Sequence, residues 1–236
     1  MWSGPRNVST ALMRSFEARG DTFVADEPFY AHYLLRTGRP HPGRDAILTQ
    51  HETDPAAVAA WLTGPVPDGK PVFYQKHMAH HLLPGMDRAW MADLVHAFLI
   101  REPREMLTSL AKVTPHPRLE DTGLPQQWEL FERVRAATGR TPAVLDGRDL
   151  LEAPGPMLRV LCAALGLAYT ERMLRWPPGR RATDGVWAEH WYAAVEASTG
   201  FAPYRAKAQD VPPDLTDVLD AADAYHARLY RVRLGA

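Results

Sequence analysis

Residues 95 to 102 read VHAFLIRE, an unbroken run of β-compatible apolar residues that stops in charge. A strand apolar on both faces must be covered on both, as in a buried parallel sheet, and its polar end marks the edge where such sheets bind ligands. The theme recurs along the chain. TFVADEP at 22–28, PVFYQKHM at 71–78 and AVLDGRDLL at 143–151 each hold a short strand. Helical spacing falls between them: over 8–19, over 55–63 with Pro55 at a first helical position, in PREMLTSLAKV at 103–113, and over 157–167 up to Gly166. A last amphipathic helix is predicted from Asp214 to Leu234, with Leu215, Leu219, Ala222, Tyr225, Leu229 and Val232 on one face. Residues 37–47 read as loop, and 113–127 as the longest irregular insertion, suited to a lid or a substrate loop. This alternation predicts an α/β fold, a central parallel β-sheet flanked by helices, in a single domain over 1–236.

The 27 basic residues nearly cancel the 28 acidic ones, leaving a formal net charge of −1, so no global field draws the chain to nucleic acid or to a membrane. Any anion site is local. The single Cys162 excludes an internal disulfide framework, and no apolar stretch reaches the roughly 18 residues of a membrane span. With no basic start and long apolar run of a signal peptide at the N-terminus, the expectation is a cytoplasmic protein with a small-molecule partner, compatible with a homo-oligomer.

The first structured stretch, MWSGPRNVSTALMRSF, sets a turn directly before helical spacing. Backbone amides at a helix N-terminus are unpaired and carry partial positive charge, so Pro5, Arg6, Asn7, Val8, Ser9 and Thr10 suit a phosphate or sulfate, to which Arg6 adds a full charge. The alternative is that Ser9 or Asn7 only caps the helix. A nucleoside triphosphate loop is not matched, because that loop needs a Lys followed by Ser or Thr and the first lysine here is Lys70; this weighs against a P-loop kinase.

On these residues the chain resembles the sulfotransferase family, whose phosphosulfate loop reads Pro, Lys or Arg, Ser, Gly, Ser or Thr, Thr. Pro5, Arg6, Ser9 and Thr10 fit it, while Asn7 stands for Ser and Val8 for Gly. The resemblance implies a P-loop NTPase-like sulfotransferase fold with PAPS (3′-phosphoadenylyl sulfate) as donor cosubstrate and no metal. It also implies that Arg101 and Ser109, eight residues apart in FLIREPREMLTSLAK, hold the donor's 3′-phosphate, as a guanidinium fork and a hydroxyl suit a phosphate dianion. In PPGRRATDGVWAEHW, Arg180 and Arg181 fall on the family's late Arg-Lys pair, and Gly185 and Trp187 on its Gly and Trp; the alternative is an exposed basic loop. Gly147 in LDGRDLL takes the place of a Tyr that often contacts adenine, with Trp187 and Tyr192 as candidate substitutes. In the family a central strand precedes the phosphosulfate loop; only four residues precede Pro5, so that strand is very short or the natural start lies upstream of Met1.

Such a reaction needs a base for the acceptor's hydroxyl or amine proton. Glu27, in DEPFY, stands where several bacterial and Golgi-type members carry a catalytic Glu, and partial burial beside Phe29 and Tyr30 would raise its pKa. His77, in YQKHM, stands at the His of the cytosolic enzymes' Lys-x-His, with Gln75 for the Lys and Lys76 one place on; His80 and His81 are further candidates. His77, His80 and His81 sharing a helix face would raise metal binding as an alternative, although no further ligands are evident. Phe29, Tyr30, Tyr33 and Trp128 are candidates for an acceptor pocket or for the core. A catalytically inactive nucleotide- or anion-binding module on the same fold stays open beside the enzyme.

Overall fold

A computed structural model describes residues 1–206 and 210–235. Five parallel strands form one sheet in the order β2-β3-β1-β4-β5: β1 is Trp2–Ser3, β2 Thr22–Asp26, β3 Val72–Met78, β4 Ala97–Ile100 and β5 Ala143–Asp146. The side-chain period of two sends alternate residues of each strand to opposite faces. Trp2, Phe98, Ile100 and Val144 pack under the helices Pro55–Thr63, Leu124–Thr138 and Thr216–Tyr230. Val24, Tyr74, Leu99 and Leu145 pack under Ser9–Glu17 and Pro154–Ala164. Both faces are therefore covered, which is why β4 is apolar at every position.

The central strand β1 is only two residues long, yet it pairs with β3 on one side and β4 on the other. Trp2 is fully buried; its indole N–H donates to His96 Nδ1 at 3.0 Å, and its ring stacks on His77 at 4.3 Å. Gln127 Nε2 donates to the carbonyls of both Trp2 and Leu99 at 3.0 Å, a side-chain tie between β1 and β4 besides their ladder.

Two sequence expectations need correction. The 37–47 stretch is only partly loop, since the helix Tyr30–Thr37 runs into it and Arg44–Gln50 begins within it. Inside 113–127 the turn Leu119–Thr122 leads into the fifteen-residue helix Leu124–Thr138, which starts after the left-handed Gly123 with Pro125 as its second residue. The other strands read from the sequence are present, the helix read at 157–167 lies three residues earlier at Pro154–Ala164, the one read at 103–113 ends at Leu110, and the last, Thr216–Tyr230, is shorter at both ends; the strand Trp2–Ser3 and the helix Gly147–Glu152 are additions to what the periodicity showed. Among the described residues, no helix is long and apolar enough to cross a membrane.

Candidate active site

The strands hand the chain to the same sheet edge: Ser3 to the turn at Pro5, Asp26 to Glu27, Met78 to the His80-His81 pair, Ile100 to Arg101, and Asp146 to Gly147. These ends open into one cavity of about 1110 Å³, lined by the turn Pro5–Thr10, Glu27, Lys76, His80, Arg101, Ser109 and Gly147 among others. Its place matches the general rule for open parallel sheets, at the carboxyl edge where the strand order reverses about β1.

One end of the cavity is strongly electropositive. The helix Ser9–Glu17 begins without a side-chain cap, since Asn7 Oδ1 accepts from the Val8 N–H at 2.8 Å and Asn7 Nδ2 donates to Leu99 O at 3.2 Å. Asn7 thus fastens the turn to β4 and leaves the first helical amides free for a ligand. Arg6 sits in the left-handed backbone region at φ 56°, uncommon for a residue with a side chain and often found where function requires it. Its Nε donates to Ser109 Oγ at 2.9 Å, while the Arg101 guanidinium donates to the Arg6 carbonyl and pairs with Glu105 at 3.0 Å. Arg6, Arg101 and Ser109, far apart in sequence, form one cluster. Partial burial, then the neighbouring Arg101 charge, lowers the Arg6 pKa, the mark of a cation with no carboxylate to balance it.

Gly147 closes the same corner. A Cβ there would stand 2.7 Å from Asn7 Oδ1 and 3.3 Å from the Ile100 carbonyl, so the turn and the start of the 147–152 helix touch only because the side chain is missing. The absence of a Tyr at 147 and the presence of Asn at 7 are therefore one packing arrangement.

At the other end lies Glu27, also left-handed at φ 46°. Its Oε1 accepts from Lys76 Nζ at 2.6 Å, and its Oε2 lies 4.0 Å from His81 Nδ1. Lys76 is buried and also donates to Asp26 Oδ1 at 2.8 Å and Tyr192 OH at 2.7 Å. Burial raises the Glu27 pKa; Lys76 opposes the rise, and Asp26 adds to it. The two carboxylates together lift Lys76 well above its ordinary value despite its burial, so it stays charged.

Several expected residues lie elsewhere. His77 is packed among Trp2, Phe29 and Trp90, on the β3 face opposite Lys76, and does not line the cavity. It does not share a helix face with His80 and His81 either, since it belongs to a strand and they form a short turn, Ala79–His81, after it. Arg180 is exposed, and Arg181 is tied to Glu17 at 3.2 Å and to the carbonyls of Pro177 and Gly179; neither lines the cavity. Their loop folds back on the first helix, where Asp184 pairs with buried Arg14 at 2.6 Å. Trp187 is core, and Gly185 is forced by it, since a Cβ at 185 would meet the indole at 2.1 Å. Tyr192 lines the cavity, but its hydroxyl is spent on Lys76 and Asp26. Phe29 and Trp128 belong to the core, while Tyr30 and Tyr33 line the cavity.

The Lys76 network escaped the sequence reading. The signal was strand parity: in VFYQKHM positions 74, 76 and 78 share one face, and the register sets Lys76 beside Asp26. Tyr204 and Arg148 also line the cavity, with the Arg148 guanidinium 4.8 Å above the Tyr204 ring and the Tyr204 hydroxyl on Glu105 at 2.5 Å; no motif pointed to them.

Segments of two Arabidopsis thaliana proteins, named branched-chain-amino-acid aminotransferase-like protein 1 and protein 2, are 36% identical over 222 residues and 34% identical over 221, in each case 93% of this chain. The chain spans 39% of the length of each. The sulfotransferase domain from the curacin biosynthetic pathway superposes with a TM-score of 0.55 at 11% identity, covering 94% of this chain and 95% of its own. A sulfotransferase from Alicyclobacillus acidocaldarius does so with a TM-score of 0.55 at 13% identity, covering 99% and 95%. Both likenesses are of fold. The sulfotransferase domain family matches residues 1–231, nearly the entire sequence, and the chain belongs to that family.

Proposed function

We propose that the chain moves a sulfonate group from PAPS to a hydroxyl or amine of a small-molecule acceptor. The observation that carries this reading is the meeting of Arg6, Arg101 and Ser109 at an uncapped helix N-terminus, in the same cavity as a buried carboxylate. The free amides and Arg6 suit the 5′-phosphosulfate, and Arg101 with Ser109 the 3′-phosphate. PAPS supplies an activated sulfonate, whose sulfur takes the acceptor oxygen or nitrogen in line as the bond to the phosphosulfate oxygen breaks, releasing 3′,5′-ADP. The protein's part is positioning and charge. Glu27 Oε2, its other oxygen held by Lys76, takes the acceptor proton. The base is assigned to Glu27 over His80 because burial moves the two in opposite directions, making the Glu27 carboxylate a stronger base than an ordinary one and the His80 imidazole, pushed down to about 4, a weaker one.

Thermal unfolding tests the donor assignment. 3′,5′-ADP is expected to raise the Tm more than 5′-AMP does, and Arg101→Ala to erase that difference. Equal shifts from both nucleotides would overturn it. 3′,5′-ADP binding without sulfonate transfer to any acceptor would leave a nucleotide-binding module in place of an enzyme.

A further inference from the structure

Arg101, to which the sulfotransferase reading gives the 3′-phosphate, is not an open cation. Its Nη2 donates to Glu105 Oε2 at 3.0 Å, its Nε reaches the same oxygen at 3.4 Å, and its Nη1 donates to the Arg6 carbonyl. All three nitrogens of the guanidinium therefore meet a protein oxygen. Glu105 stands four residues before Ser109, with the helix Pro103–Leu110 carrying both, so one helical turn sets the carboxylate beside the hydroxyl, and both line the cavity. The other carboxylate oxygen is held from a distant segment. Tyr204 OH donates to Glu105 Oε1 at 2.5 Å, and the Arg148 guanidinium packs over the Tyr204 ring at 4.8 Å.

On an exposed helix face such an i,i+4 pair contributes little. Here the Arg101 and Glu105 side chains are only 21% and 13% exposed, and the pair stands where the donor's 3′-phosphate is to be held. A phosphate monoester arriving there brings a charge of about −1.5 to −2 to a guanidinium that a carboxylate already answers. Two anions then share one cation, and like charges a few ångströms apart repel strongly where water is sparse. The reaction removes only the sulfonate. 3′,5′-ADP keeps both phosphates by which the donor is held, so a firmer grip on them holds donor and product alike and does not raise turnover. Release of such a product is a common slow step.

Resting on the sulfotransferase reading, we propose that Glu105 is a built-in competitor of the 3′-phosphate: its carboxylate reclaims Arg101 as 3′,5′-ADP departs and so speeds product release. Tyr204 engages Oε1 and leaves Oε2 for Arg101. A carboxylate placed only to orient the guanidinium would act with the opposite sign, because its loss would loosen Arg101 and weaken nucleotide binding.

The test compares 3′,5′-ADP with 5′-AMP on the wild-type protein and on Glu105→Gln, which keeps the shape and an acceptor for Tyr204 but not the charge. Titration calorimetry reads the affinities, and stopped-flow displacement reads the dissociation rate. Glu105→Gln is expected to bind 3′,5′-ADP about tenfold tighter, mostly through slower dissociation, and to leave 5′-AMP within about twofold of wild type. Glu105→Ala serves if the glutamine variant does not fold, with the same sign expected. Where the wild-type protein tells the two nucleotides apart, unchanged or weaker binding of 3′,5′-ADP by the variant, or an equal gain for 5′-AMP, would overturn this proposal alone. A wild-type protein that binds both equally would overturn the donor assignment, and this proposal with it.

Discussion

At the scale of single residues, Glu27 and Gly147 make opposite demands on the chain. Glu27 holds a left-handed backbone and a largely buried carboxylate, both costly, in a side chain that lines the cavity. Glu27→Gln keeps the shape and the contact with Lys76 but cannot take a proton. Turnover should fall by roughly 10²- to 10⁴-fold, while 3′,5′-ADP still raises the Tm. Because its pKa is raised, the base is lost at a higher pH than an ordinary carboxylate would be: kcat should drop as pH falls through a midpoint above the usual Glu range, and the pH–rate profile checks this. Gly147 demands empty space. Gly147→Ala drives a methyl to 2.7 Å from Asn7 Oδ1, so the turn must shift and 3′,5′-ADP should bind more weakly. Adding Asn7→Ser removes the obstructing oxygen and should recover part of the loss, a non-additivity that titration of the double variant would show.

At the scale of elements, the cavity's two chemistries come from different strand ends, and one buried cluster holds the β2 and β3 ends in register. Lys76 on β3 reaches Asp26 at the end of β2, Glu27 just after it, and Tyr192 from the far segment. Lys76→Met leaves two buried carboxylates without a cation and should cost about 3–5 kcal/mol, read as a lower denaturant midpoint. In the Asp26→Asn background the same substitution should cost less, since fewer charges are then stranded. This cluster also marks how far the sequence could be read. Strands β2 to β5 were legible because apolar runs and turn residues are local signals, and the turn before the first helix was legible because a Gly-Pro pair precedes helical spacing. Which side chains of β3 face the cavity was a matter of parity, and placing His77 there meant choosing the wrong face. The 180–181 loop was opaque for a different reason. Whether an arginine faces a ligand or a neighbouring carboxylate depends on what folds next to it, and Glu17 and Asp184 become neighbours only in the folded chain.

At the scale of the whole molecule, the buried imidazoles make acid the weak side of its stability. Burial lowers His80 and His96 to about 4 and His77 and His81 well below their ordinary value. The unfolded chain binds those protons near the model-peptide value of about 6.5, so their contribution is whole above that pH and falls as pH drops toward the folded values, by about 1.4 kcal/mol per pH unit for each histidine once its unfolded form is protonated. Urea midpoints between pH 7 and pH 5 should decline steeply, and His96→Gln should flatten the decline. The architecture has a second consequence, which starts from the two-residue β1. With so short a middle strand, the ladder carries only a narrow seam between the β2–β3 pair and the β4–β5 pair. A nucleotide seated on Arg101 beyond one flank, with its sulfonate directed at Glu27 beyond the other, would rivet that seam from outside. Amide exchange should then slow in both flanks together on PAPS binding, including in strands the nucleotide never touches, and 3′,5′-ADP, which has no sulfonate to reach the Glu27 side, should slow that flank less.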